Sequence, residues 1–112
     1  MKKRDDSVFV MHILDSINAI GEFSKNISRR DLESNRLKQS AIVREIEIIG
    51  EASKNISEEF KKRHKEIPWR EISGTRDKII HHYFGLNLDM IWEIVTEDLP
   101  DLKNKLNKIK FE

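Results

Sequence analysis

Apolar residues recur along this chain at three- and four-residue spacing, and that regularity restricts the fold more than any other feature. Val10, Ile13, Leu14, Ile17 and Ile20 fall on one face of a helix, with Asp15, Asn18, Glu22 and Lys25 opposite. Ile42, Ile46, Ile49, Ile56 and Phe60 form a second line, and Leu88, Ile91, Trp92, Val95, Leu99, Leu102, Leu106 and Ile109 a third. β-Branched residues do not alternate with polar ones, and only four glycines and two prolines interrupt the chain. The pattern predicts an all-α protein.

Punctuation places the helices. Asp5 or Asp6 can cap a first helix running to about Lys25. Ser28 to Asn35 is polar and reads as a connection with room for one helical turn. A long helix is predicted from about Leu37 to His64, and a third major helix from near Trp69, behind Pro68, to near Tyr83, where Gly85 would stop it. Asn87 or Asp89 can cap the last helix, which Pro100 should kink or restart. Four main helices with short links, and a short fifth at most, make an up-and-down bundle the economical architecture, with residues 1–112 forming a single domain. At 112 residues, association with a second copy would add usefully to the buried surface, so a homodimer is in keeping with the size.

Composition narrows the chemistry. With no cysteine there is neither a disulfide framework nor a thiolate metal site, which suits a reducing cytoplasm. Met1-Lys2-Lys3-Arg4 is followed at once by Asp5 and Asp6, and no apolar run resembles a signal-peptide core or a membrane span, so a cytoplasmic protein without membrane contact is expected. Lys and Arg number 21 against 20 Asp and Glu, so any contact with nucleic acid must come from a local arrangement rather than overall charge. His12, His64, His81 and His82 lack metal-site spacing, and Gly21, Gly50, Gly74 and Gly85 are too scattered for a phosphate loop. No metal or other cofactor is indicated.

One segment concentrates reactive groups: Arg76-Asp77-Lys78-Ile79-Ile80-His81-His82-Tyr83. Cleavage of an RNA phosphodiester needs a base for the 2′-hydroxyl, an acid for the leaving oxygen and a cation for the charge gathering on phosphorus, roles that histidine and arginine fill. If the segment is helical to Tyr83, Asp77 stacks on His81 four residues later and can orient its ring, with His82 as a further support. On that helix Arg76 and His81 would sit about 140° apart, so two chains facing each other would serve a phosphate better than one. The spacing alone fits a helix-end surface ion pair as well. A second stripe, Arg44, Glu47 and Glu51, reads either as a paired ionic face or as part of a site.

Arg76, His81 and Tyr83 match the Arg, four to six residues, His-x-Tyr signature of the HEPN superfamily, and the chain resembles its HepT-like branch well beyond that motif. Ala41 to Ala52, Ile67-Pro68-Trp69-Arg70, Tyr83-Phe84-Gly85 and Glu97-Asp98-Leu99-Pro100 all look like that branch. The resemblance implies an endoribonuclease toxin of a type II or type VII toxin–antitoxin module, metal-independent and homodimeric, with Arg76 and His81 as its catalytic pair. It also implies a partner antitoxin, a nucleotidyltransferase of the MNT type that places AMP on Tyr83, in a complex that could grow into a larger hetero-oligomer. Some members of the superfamily are instead non-catalytic modules that bind nucleotides or partners.

Overall fold

In the computed structural model, which describes residues 5–81 and 85–111, α1 spans Asp6–Phe23 and begins where the Ser7 N–H donates to the Asp5 side chain at 3.0 Å. Its predicted apolar face is the buried one: Val10, Ile13, Ile17 and Ile20 are enclosed, while Asp15, Asn18, Glu22 and Lys25 are exposed. The turn predicted between Ser28 and Asn35 is a short helix, α2 (Arg29–Glu33). Ser28 and Asp31 form a reciprocal capping box, the Asp31 N–H donating to Ser28 Oγ and the Ser28 N–H to Asp31 Oδ2. The hydrogen bonds from Ser28, its backbone N–H foremost, hold the Asp31 carboxyl below its ordinary value.

The long helix expected from Leu37 to His64 is two helices. α3 covers Arg36–Asn55 and α4 covers Glu58–Arg63, with Ile56 extended between them (φ −73°, ψ 138°). A contact distant in sequence accounts for the break: the Asp6 carboxylate accepts from both the Ser57 N–H and the Ser57 hydroxyl, each at 2.8 Å, while Ser57 Oγ caps α4 through the Phe60 N–H. Ile56 and Phe60 stay buried, so the hydrophobic line continues although the backbone turns.

α5 (Trp69–Ile79) follows Pro68 as expected but ends four residues before Tyr83. The chain becomes extended at Ile80, and β1 (Ile80–His81) pairs antiparallel with β2 (Gly85–Leu86), Ile80 opposite Leu86 and His81 opposite Gly85. Gly85 therefore serves this small hairpin, at φ +79°, rather than the end of a helix. Asn87 is the cap of α6 (Leu88–Glu93), through the Met90 N–H. A wide π-helical turn over Ile94–Asp98 then leads into α7 (Leu99–Asn107), whose first turn holds Pro100. The ladder widens just ahead of the residue that cannot donate, so the rod is adjusted rather than broken.

The protein is thus mostly helical, with more and shorter elements than the four expected. α1 packs on α3, α3 on α5, and α7 returns against α1. Ile13, Leu32, Ile42, Ile79 and Ile91 are fully enclosed, each side chain contributing about 1.5–3 kcal/mol by leaving water. No helix among the described residues is long and apolar enough to cross a membrane.

The α3–α5 contact is close because Gly50 faces the carbonyls of Ile72 and Ser73; a β-carbon there would lie 3.7 and 3.6 Å from them, an ordinary contact distance. Gly50→Ala is expected to leave stability unchanged or raise it by up to about 1 kcal/mol through helix propensity. Gly50→Leu should instead force the helices apart and cost roughly 1–3 kcal/mol. Thermal unfolding of the two variants beside the parent checks both signs.

Candidate active site

Of the eight residues from Arg76 to Tyr83, the first four end α5 and the next two form β1. α5 is fixed against α3 in a defined register. Trp69 anchors its start, with the indole Nε1–H donating to the His64 carbonyl at 3.0 Å, while Ile72 and Ile79 bury the apolar face. Between these anchors Ser73 Oγ lies 2.9 Å from the fully buried Ser53 Oγ, so one hydroxyl donates to the other, and the accepting one donates to its own helix, at the Gly50 carbonyl for Ser53 or that of Trp69 for Ser73. One turn beyond Ser73, this register brings Arg76 alongside α3.

There Arg76 Nε donates to Glu47 Oε2 at 2.9 Å. Glu47 belongs to the Arg44, Glu47 and Glu51 stripe, so the structure resolves that stripe into one wall of a cleft whose other wall is α5. The cleft encloses about 320 Å³ and is lined by Arg44, Glu47, Glu51, Lys54, Ser73, Arg76 and Asp77, with Gly50 at its base. Arg76 and Glu47 are both open to solvent, their side chains 54% and 32% exposed. The pair is therefore worth only about 0.2–1 kcal/mol to stability, and its consequence is geometric. Holding the guanidinium by Nε leaves the two terminal amino groups for a second, two-pronged contact, the geometry that suits a phosphate. Asp77 Oδ1 lies 4.0 Å from Arg76 Nη1, beyond hydrogen-bond length, and adds negative potential rather than a second tether.

The remaining residues separate. Lys78 does not join Arg76: it lines a different groove, between α5 and the π turn, with Glu71, Thr75 and Asp98. His81 lies on β1, off the helix, so the predicted stacking of Asp77 beneath His81 at helical spacing is overturned. The same finding removes the 140° divergence that a continuous helix would impose. Three helical steps and two extended ones separate the Arg76 and His81 backbones, at most about 11 Å of chain. The His81 side chain, together with His82 and Tyr83, lies outside the described residues. Among the described residues no group of His, Asp and Glu side chains is gathered closely enough to hold a metal ion.

Sequence reasoning missed the partnership of Glu47 with Arg76. The two are 29 residues apart. The only local signal was a glutamate on the flank of an amphipathic helix, bordering its apolar line.

Comparison with known proteins places this geometry in context. A family model described as "Ribonuclease HepT-like" matches residues 13–109, a span that contains Glu47, Arg76, His81 and Tyr83. A protein named "Probable ribonuclease HepT" from Thermococcus cleftensis is 44% identical over 108 residues, 96% of this chain and 98% of that one. Two others, each named "Putative RNase", are similar over nearly their whole lengths. The one from Caldanaerobacter subterraneus subsp. tengcongensis is 42% identical over 101 residues, 90% of each chain. The one from Methanocaldococcus jannaschii is 40% identical over 106 residues, 95% of this chain and 97% of that one. No solved structure matches.

Proposed function

The chain belongs to the HepT-like ribonuclease family, and from that premise we propose that residues 1–112 act as one domain, the endoribonuclease toxin of a type II or type VII toxin–antitoxin module. Arg76, held by Glu47 through Nε with its terminal amino groups free to fork onto a phosphate, is the observation that carries the reading. His81 accepts the proton of the RNA 2′-hydroxyl as its oxygen attacks phosphorus. The bond from phosphorus to the 5′-oxygen breaks, and that oxygen takes a proton from an acid, leaving a 2′,3′-cyclic phosphate. Arg76 balances the charge that gathers on the phosphoryl oxygens. No metal is assigned a role.

A homodimer supplies the second imidazole: His81 of one copy as base and of the other as acid, with His82 as a supporting group and Asp77 acting only from its place in the Arg76 cleft. The family resemblance supports this assembly, in the cytoplasm where its substrate is made. The same resemblance supports an antitoxin of the MNT nucleotidyltransferase type, bound in a hetero-oligomer. It would transfer the α-phosphoryl of ATP, as AMP, to the Tyr83 hydroxyl with release of pyrophosphate. Two residues from His81, that added phosphate would occupy the place meant for the RNA backbone.

Expression of the chain alone is expected to arrest growth and degrade cellular RNA, and His81→Ala to abolish both. Equal toxicity of the alanine variant would overturn the mechanism. Intact-mass measurement of the protein co-expressed with its nucleotidyltransferase should show added AMP that Tyr83→Phe eliminates. The near-balance of 21 basic and 20 acidic residues favours one other reading, a non-catalytic nucleotide- or partner-binding module. Purified protein that binds ATP and leaves RNA intact would establish it.

A further inference from the structure

The overall charge balance conceals an uneven distribution. Lys61-Lys62-Arg63-His64-Lys65 closes α4, and Lys108 and Lys110 follow α7. The fold brings these two stretches together, because the Phe111 ring stacks parallel on that of Phe60 at 5.7 Å between centroids. Between them lies a cleft of about 410 Å³ lined by Asp5, Asp6, Phe60, Arg63, His64, Lys110 and Phe111.

The acidic groups at this end are mostly engaged. Asp6 accepts from Ser57, Glu58 approaches Lys61 at 3.7 Å, and Glu66 lies 3.5 Å from His64 Nδ1. Lys62, Arg63, Lys65, Lys108 and Lys110 have no ion pair among the described residues. Phe111, although stacked on the core, stays 45% exposed. An open aromatic face beside unpaired cations is the combination that holds single-stranded nucleic acid, the ring taking a base and the cations its phosphates. Asp5, whose Oδ1 accepts from the Ser7 N–H at the start of its own helix, adds an acceptor suited to a ribose hydroxyl.

We propose that this cleft is a nucleotide-binding subsite that docks single-stranded RNA outside the cleavage site; it rests on the ribonuclease reading above. Its position is suitable. Phe60 lies 6.1 Å from Trp69, the first residue of α5, and Arg76 stands seven residues further along the same helix, about 10 Å of rise. A strand seated on Phe111 and Arg63 reaches the Arg76 cleft within a short run of nucleotides, so the subsite raises affinity for long RNA without touching the reacting phosphate.

The test is fluorescence anisotropy of a labelled oligouridylate of about twelve nucleotides on full-length protein carrying His81→Ala, across a salt series. Adding Arg63→Gln with Lys110→Gln is expected to weaken binding about tenfold and to reduce the slope of log K against log salt by about 1.4, two phosphate contacts on a single strand. Phe111→Leu should weaken binding with the slope unchanged. In protein with His81 intact, the same changes should raise KM for long RNA and leave cleavage of a dinucleotide at the parent rate. Unchanged affinity and slope in both variants would overturn the subsite, as would binding of phosphatidylserine vesicles, but not RNA, through these residues. Protein with His81 intact that binds RNA through these residues but cleaves none would refute the ribonuclease reading and leave the subsite standing.

Discussion

Arg76→Ala is expected to lower RNA cleavage by about 10²–10³-fold, the usual loss when one fixed donor to a developing oxyanion is removed. The melting temperature should hardly move, because the guanidinium is half exposed and its ion pair with Glu47 adds little to stability. Arg76→Lys should recover little of the rate. An ammonium cannot donate to Glu47 from an Nε position and still offer two parallel donors to a phosphate. Glu47→Gln tests the tether: its amide oxygen can still accept from Nε but without the carboxylate charge that strengthens the bond, so the guanidinium is aimed less firmly and kcat should fall by roughly tenfold with KM nearly unchanged. Steady-state cleavage of a defined RNA by the four proteins, with thermal unfolding of each, measures all of this. Arg76→Ala protein cutting at the parent rate would remove Arg76 from the mechanism.

Ile79→Ala should give the largest loss of stability. Ile79 is fully buried at the last position of α5, and its carbonyl accepts from the Asn87 N–H at 2.8 Å, where the chain leaves the helix for β1. Truncation opens a cavity in the core and costs about 2–5 kcal/mol, a large share of the roughly 5–15 kcal/mol that holds a domain of this size together. Ile79 also connects Arg76 on the helix to His81 on the strand. Loosening it should therefore depress cleavage even at temperatures where the variant remains folded. Urea unfolding followed by fluorescence of Trp69 and Trp92, with activity measured below the transition, separates the two effects. An unchanged midpoint would contradict the packing described for Ile79.

Much of the fold is legible in the residues because local chemistry dictates it. α1 follows from its apolar face and Asp5, and the start of α6 from Asn87, while the polar stretch Ser28 to Asn35, read as a connection with room for one turn, holds α2. The failures have a common form. Ile56 and Phe60 keep helical spacing, so periodicity runs straight across a break that a carboxylate from α1 imposes at Ser57. The end of α5 is hidden likewise: polar and apolar residues continue a plausible helix to Tyr83, while pairing of Ile80 and His81 with Leu86 and Gly85 draws the backbone away. Pro100 announced an irregularity, but its form, a wide turn over Ile94–Asp98, depends on packing upstream.

The candidate site divides in the same way. Residue types alone marked Arg76 to Tyr83 as a cluster of reactive groups, while the choice of Arg76 and His81 as a catalytic pair and of Tyr83 as a modification site came from the family resemblance. By itself, the sequence determined the helices, the faces they bury and the residues that carry reactive groups, because propensity, capping and amphipathic period act over a few neighbouring residues. Only the tertiary structure decided where the rods stop, that His81 leaves the helix, and that Glu47 holds Arg76. The break at Ser57 and the grip of Glu47 on Arg76 rest on contacts between residues 51 and 29 positions apart, available only once the helices have packed. The exit of His81 rests instead on a ladder between residues four and six apart, which leaves no mark on the helical period.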